Sequence, residues 1–396
     1  MAAASSVIVH AIRTPIGALG GSLATIPAPK LGASCIQAIV QALKLDPATI
    51  DEVIMGNVVS AGVGQAPARQ AAIFGGLPPS VGALTVNKVC GSGLKAVMLA
   101  DQAIRTGEAR VVIAGGMESM SRAPYMLAKA REGYRLGNAE LIDAVIHDGL
   151  RDAYTGESMG VFGERCVREY EFTRREQDDF AVRSFTRARR AIEAGWIRPE
   201  LVPIEVPGKG GKSSTVDVDE GPGRFDEAKL RGLKPSFDPA GTITAGNASS
   251  LNDGAAAHLV ASAEACSEYG LRPVARIMGS ATFSQAPEDF TTAPIGAIQR
   301  LLRRLAWTVS DVGVWEINEA FAAVTMAAES TLSLDPERVN VFGGAVALGH
   351  PIGCSGARIL VTLLNAMGHR NQQRGIASLC IGGGEAVAVA VERYQS

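Results

Sequence analysis

A helix opened by a Cys- and Gly-bearing turn, followed about 20 residues later by a strand ending in glycines, occurs twice in this chain. The first copy begins at Leu84-Thr-Val-Asn-Lys-Val-Cys-Gly-Ser-Gly-Leu-Lys-Ala-Val97 and closes on residues 111–116, Val-Val-Ile-Ala-Gly-Gly. The second opens its helix at Cys354-Ser-Gly356 and closes on residues 377–383, Ala-Ser-Leu-Cys-Ile-Gly-Gly. With 45 glycines in the chain, glycine pairs alone would prove little, but the helix-then-strand order recurs as well. We read this as an internal duplication of an α/β unit.

Four strand-end junctions carry polar groups, where an α/β sheet places its site. Cys90 stands between a strand end and a helix N-terminus. Helix-end N–H groups favour the thiolate there, which predicts that a thiol with an ordinary pKa of about 8.5 becomes nucleophilic near neutral pH. His350 lies in a glycine-rich turn before a helix, in Gly343-Gly-Ala-Val-Ala-Leu-Gly-His-Pro-Ile-Gly-Cys-Ser-Gly-Ala-Arg358. Cys380 closes a strand in Ser378-Leu-Cys-Ile-Gly-Gly-Gly-Glu385, and Asn318 marks a strand-to-helix turn in Trp315-Glu-Ile-Asn-Glu-Ala-Phe-Ala322. Alone, each could be a core cysteine or a structural turn residue. Together they supply a nucleophile, a base and polar partners.

Composition narrows the function classes. The net charge of −2 gives no bulk attraction for nucleic acid or an acidic membrane. The start, Met1-Ala-Ala-Ala-Ser-Ser-Val7, lacks the basic and apolar parts of a signal peptide, and no apolar run is long enough to span a bilayer. The six cysteines include no Cys-x-x-Cys, which fits a reducing, cytoplasmic setting, and the five histidines are scattered, so no structural zinc is expected. Residues 121–248 hold 20 of the 38 Lys+Arg and 21 of the 40 Asp+Glu, marking a wetter insertion between the halves. Within it, Thr173 and Glu176 form a capping box for a helix reaching about Gly195. Its Arg183, Arg187, Arg189 and Arg190 read as a solvated face beside Asp178 and Asp179. Gly208-Lys-Gly-Gly-Lys-Ser213 is no P-loop, because Val206 stands where its first glycine belongs. The glycines at 382–384 precede a strand and are no dinucleotide fingerprint.

In order, these runs resemble the thiolase family of acyl-CoA acyltransferases over essentially the whole chain. Arg13-Thr-Pro-Ile-Gly17, Gly115-Gly-Met-Glu-Ser-Met-Ser-Arg-Ala-Pro-Tyr125 and Gly246-Asn-Ala-Ser-Ser-Leu-Asn-Asp-Gly-Ala255 extend the likeness. The resemblance implies an α/β thiolase fold, two duplicated halves in a layered αβαβα arrangement with an inserted loop domain. It places the first half at 1–120 plus 249–275, the CoA-covering loop domain at 121–248 and the second half at 276–396. It also implies ping-pong chemistry on acetyl-CoA, acetoacetyl-CoA and CoA. Cys90 takes the acetyl group after His350 accepts its proton, and Cys380 removes the α-proton of a second acetyl-CoA. Asn318 holds a water that forms one oxyanion hole with His350, and the N–H groups of Cys90 and Gly382 form the other. No metal or redox cofactor is required, since CoA is a substrate and product.

For CoA, the resemblance points to Ser249 at the pantetheine, to the lining positions Phe237, Met159 and Leu150, and to Arg224 near the adenine. Ser158 stands where family members often carry histidine, which alters the local CoA contacts. Phe290, with Phe321, is expected to shorten the acyl pocket and favour acetoacetyl-CoA. Three rivals are a broader-chain 3-ketoacyl-CoA thiolase, a ketosynthase and a CoA- or lipid-binding protein without activity. Chain-length profiling separates the first. Cys380 and the Gly-His-Pro run argue against the second, and acylation of Cys90 by acetyl-CoA decides the third. The family usually assembles as homodimers or homotetramers.

Overall fold

The structure, a computed structural model, describes residues 6–394. Its central strands are buried along their length, as in Val111–Ser119 and Asn252–Ser262, and accordingly carry near-continuous apolar or small residues. In space the main strands run Val314–Ile317, Arg374–Ile381, Glu385–Arg393, Ala275–Ser284, Ser6–Arg13, Asn252–Ser262, Val111–Ser119, Glu52–Gly56 and Gly82–Val86. The seam between the halves is narrow: Ser6–Arg13 meets Ala275–Ser284 only at Val7↔Arg276 and Ile8↔Ala275. Outward from that seam each half repeats one sequence of pairings, antiparallel, antiparallel, then parallel. Val111–Ser119 and Arg374–Ile381 occupy equivalent places, as the duplicated pattern predicts.

Three hydrophobic clusters define the layers. Ala28–Leu43 and Pro67–Phe74 cover the outer face of the first sheet. Ala293–Leu305 and Ala322–Leu332 cover the outer face of the second. Between the sheets lie the two equivalent helices, Ser92–Thr106 and Ile352–His369, with Leu94, Val97, Ile359 and Leu363 fully buried among Val112, Val260, Val387 and Val389. These two helices touch almost backbone to backbone. A Cβ on Gly93 would sit 2.7 Å from the Ala357 nitrogen, and one on Gly356 would sit 2.5 Å from the Leu94 nitrogen. Gly93 and Gly356, both inside their helices, are therefore demanded by the close helix contact.

The insertion differs from expectation in one respect. The helix Arg174–Glu193 carries the capping box at Thr173 and Glu176, and Arg189 and Arg190 are exposed. Arg183 and Arg187 are not part of a free solvated face. Arg183 pairs with Glu329 at 2.5 Å, while Arg187 pairs with Glu337 at 2.7 Å and donates to the Val339 carbonyl. They anchor the insertion to the second half. The Lys209–Gly211 turn joins the antiparallel strands Ile204–Pro207 and Ser213–Val216, which excludes a phosphate loop there.

Candidate active site

Cys90 follows the strand Gly82–Val86 and precedes the helix that starts at Ser92. The turn is strained: Val89, a β-branched residue, has φ 45°. Ser92 holds it closed, accepting from the Lys88 N–H at 2.8 Å and donating to the Val89 carbonyl at 2.7 Å. The sulfur faces the N–H groups of Gly382 and of Cys90 itself.

The thiolate expectation for Cys90 is corrected by its surroundings. Burial pushes the thiol up to about 11, the Gly382 and Cys90 N–H groups pull it part of the way back, and Glu118 raises it further. The wall around the sulfur penalises a lone charge more than nearby N–H dipoles stabilise it. The thiol is therefore protonated at neutral pH and requires a proton acceptor.

His350 is buried at the start of the other inter-sheet helix, and burial first, then Arg358, lowers its pKa to about 4. It is thus neutral and able to accept. Ser355 Oγ donates to the Pro351 carbonyl at 2.9 Å and so accepts from His350 Nδ1–H at 2.5 Å. This leaves Nε2 as the bare nitrogen, and it has no protein partner among the described residues.

Asn318 stands where Val314–Ile317 gives way to the next helix, as expected. Its Oδ1 accepts from Arg358 Nη2 at 3.4 Å, while its buried Nδ2 has no protein partner among the described residues. Arg358 in turn lies 3.5 Å from Glu316, with both side chains buried. Cys380 is buried at the end of Arg374–Ile381. Burial raises its thiol well above the usual range, and the neighbouring Cys90 and Cys166 sulfurs raise it further.

A cavity of about 560 Å³ opens onto this cluster. Of the predicted residues, Cys90, His350, Gly382, Ser249, Phe237, Met159, Leu150, Ser158, Phe290 and Phe321 all line it. Its wall combines the first half, the insertion and the second half. Phe321 forms the aromatic centre, edge-on to Phe237 at 5.9 Å and to Phe290 at 6.5 Å. Cys380 and Asn318 lie outside the lining surface. Arg224 is not brought to the cavity: its exposed guanidinium pairs with Glu220, four residues earlier on the chain. The helical i,i+4 spacing takes its charge locally.

Three residues had sequence signals that assigned them no role. Ser355 and Arg358 stand one and two helical turns beyond His350, inside the same quoted run. Glu118, in the Gly-Gly-Met-Glu run, is buried and accepts from Asn57 Nδ2 at 2.7 Å and Val58 N at 3.0 Å in the first half. It also accepts from Gly353 N at 2.9 Å, beside His350 in the second half. It ties the Cys90 and His350 halves across the site.

Comparison with known proteins matches this architecture. The profile of the thiolase N-terminal domain fits residues 6–264, and that of the thiolase C-terminal domain fits residues 271–393. Acetyl-CoA acetyltransferase 2 of Arabidopsis thaliana is 52% identical over 387 residues, 97% of this chain and 96% of that protein. An acetyl-CoA acetyltransferase of Cupriavidus necator is 51% identical, covering 98% of this chain and 99% of its own. The crystal structure of the Bacillus anthracis acetyl-CoA acetyltransferase superposes with a TM-score of 0.96 at 42% identity, over 99% of both chains. A thiolase from Ascaris suum in complex with coenzyme A gives 0.93 at 40% identity, over 98% of this chain and 100% of that one.

Proposed function

The chain belongs to the thiolase family, and on that premise we propose that it is an acetyl-CoA C-acetyltransferase, condensing two acetyl-CoA to acetoacetyl-CoA and CoA, reversibly. The observation that carries this reading is the meeting of Cys90, His350 and Gly382 in one largely apolar cavity. Nearly full-length relatives bearing that activity in their names support it.

As Cys90 Sγ attacks the acetyl carbonyl, its proton passes to the bare Nε2 of His350. Each group resists charge alone, but the thiolate and imidazolium form together and stabilise each other in the dry wall. The carbonyl carbon bonds to Sγ, the C–S bond to CoA breaks, and Cys380 gives its proton to the leaving CoA thiolate while His350 keeps the proton taken from Cys90. In this reading the N–H groups of Cys90 and Gly382 receive the oxyanion of this step, and one such donor typically contributes about 10²–10³ in rate. A second acetyl-CoA then loses its α-proton to the Cys380 thiolate left by that step. The enolate oxygen takes up the Nδ2 donor of Asn318 through a water, together with the Nε2–H of the His350 imidazolium. The carbanion attacks acetyl-Cys90, the bond from the acetyl carbon to Sγ breaks, acetoacetyl-CoA is released, and the Cys90 thiolate recovers its proton from His350. No step calls on a metal or redox cofactor.

In this reading residues 121–248 form the loop domain over CoA, with Leu150, Ser158, Met159 and Phe237 along the pantetheine and Ser249 at its amides. Phe290 against Phe321 closes the acyl end, which favours the short-chain assignment over a broader-chain 3-ketoacyl-CoA thiolase. We place the enzyme in the cytoplasm, as a homodimer or homotetramer, in acetyl-CoA and lipid metabolism. Among the described residues no helix is long and apolar enough to cross a membrane. The test is thiolysis of acetoacetyl-CoA, 3-ketohexanoyl-CoA and 3-ketodecanoyl-CoA, with Cys90→Ser alongside. Activity confined to the first and lost in the variant is expected. Comparable rates on the long substrates would move the assignment to fatty-acid breakdown, and no turnover at all would overturn it.

A further inference from the structure

We propose that Arg151 is the phosphate-binding residue at the mouth of the acyl-CoA cavity, an inference that rests on the function proposed above. The cavity surface is overwhelmingly apolar, and Arg151 is its single Arg or Lys among the lining residues. His350, the other basic side chain there, is held neutral by burial. A CoA thioester brings an apolar-to-amide pantetheine arm and, at its far end, a diphosphate and a 3′-phosphate. The arm suits the wall, but the phosphates need a cation that remains in contact with solvent.

Arg151 has that placement and is unclaimed. It is exposed, and it lines both this cavity and an adjoining open groove that also touches Tyr154 and Asp152. Its Nε donates to the Gly156 carbonyl at 2.6 Å, which lays the guanidinium across Gly156. Both Nη groups stay free for a ligand, and no carboxylate pairs with the side chain among the described residues. Neighbouring arginines are spent differently: Arg165 pairs with Asp289 at 2.9 Å, and Arg174 with Asp178 at 2.8 Å. Gly156, at φ 78°, keeps the turn that the guanidinium crosses. A backbone bridge between Arg151 and Ser158 fixes its base at the cavity rim.

The test is calorimetric titration of the full chain with CoA, dephospho-CoA and pantetheine, for the wild type, Arg151→Gln and Arg151→Lys. In Arg151→Gln the CoA-to-pantetheine affinity ratio should fall about tenfold, the scale of one lost charge-assisted contact, with Arg151→Lys between. A fall seen with CoA but not dephospho-CoA identifies the 3′-phosphate, and an equal fall with both identifies the diphosphate. An unchanged ratio in Arg151→Gln, with a wild type that binds CoA and turns over acetyl-CoA, overturns this inference alone. A wild type that does not bind CoA overturns it together with the functional reading.

Discussion

Ser355 Oγ accepts the Nδ1 proton of His350 at 2.5 Å while giving its own hydrogen to Pro351, and this single contact decides which imidazole nitrogen faces the cavity. The base is thereby prepared by a residue one helical turn away. Ser355→Ala should lower kcat with little change in KM. The loss should stay within the about 10²–10⁴-fold that a positioned base contributes. Steady-state kinetics on acetoacetyl-CoA measure it, and an unchanged kcat would show that Ser355 does not set the tautomer.

Cys90 and His350 titrate far from neutrality in opposite directions, to about 11 and about 4. Between those values both are uncharged, so acetyl transfer should vary little from pH 6 to 9. In His350→Asn, alkylation of Cys90 by iodoacetamide should slow at pH 7.5 and recover as pH rises toward the thiol's own range. Mass spectrometry of the Cys90 peptide reads this directly. Equal rates with and without His350 would mean that it does not receive the proton.

Arg358 holds Asn318 Oδ1 and faces Glu316, so it sets which end of the Asn318 amide points away. Arg358→Lys keeps the charge but loses the planar fork. It should reduce kcat more than KM, while the apparent pKa of His350 stays low because the positive charge remains. Arg358→Met should let that pKa rise, read from the acid limb of the kcat/KM profile. If the variant folds poorly, Asn318→Asp provides the second reading of the amide's role.

Glu118 is raised by burial to about 7, with the Val58, Gly353 and Val59 N–H groups opposing. The sign follows from linkage: a carboxyl raised in the folded state contributes stability that is complete below its unfolded pKa and is lost as pH rises toward 7. Glu118→Gln is already neutral and should flatten this dependence between about pH 4.5 and 7. Its cost, about 1–3 kcal/mol for donors left unpaired, should be greater at pH 5, where the wild type keeps the stability of the raised carboxyl, than at pH 8, where that stability is lost. Urea unfolding at the two pH values checks it, and equal costs would place the charge elsewhere.

Phe290 is buried against Phe321 in the wall of the cavity. Phe290→Ala should raise activity on 3-ketohexanoyl-CoA relative to acetoacetyl-CoA by about tenfold, the worth of one to two methylenes of new space. It should also cost about 3–5 kcal/mol of stability at the upper end. A lowered melting temperature with an unchanged substrate ratio would mean that Phe290 only packs the loop.

The junctions of Cys90, Asn318, His350 and Cys380 were legible because turn chemistry is local: glycines, a strand before and a helix after announce themselves within a dozen residues. The duplication was legible for the same reason. Arg183 and Arg187 were misread because an ion pair to Glu329 or Glu337 joins residues distant in sequence, and composition reports only that both signs abound. The pairing of Arg224 with Glu220, one turn earlier, was not legible, because a residue of the right type near the right motif does not reveal which neighbour its charge meets.

The sequence by itself determined the two α/β halves, the charged insertion between them and the chemical identity of the groups at four strand ends. Only the tertiary structure decided how those groups behave. Burial in a shared wall raises Cys90, lowers His350 and orients Asn318, because desolvation depends on what packs around a group from every side. Cys90 and His350 come from opposite halves of the chain, and a cavity between them exists only once Glu118 and the paired glycine helices have brought the halves together.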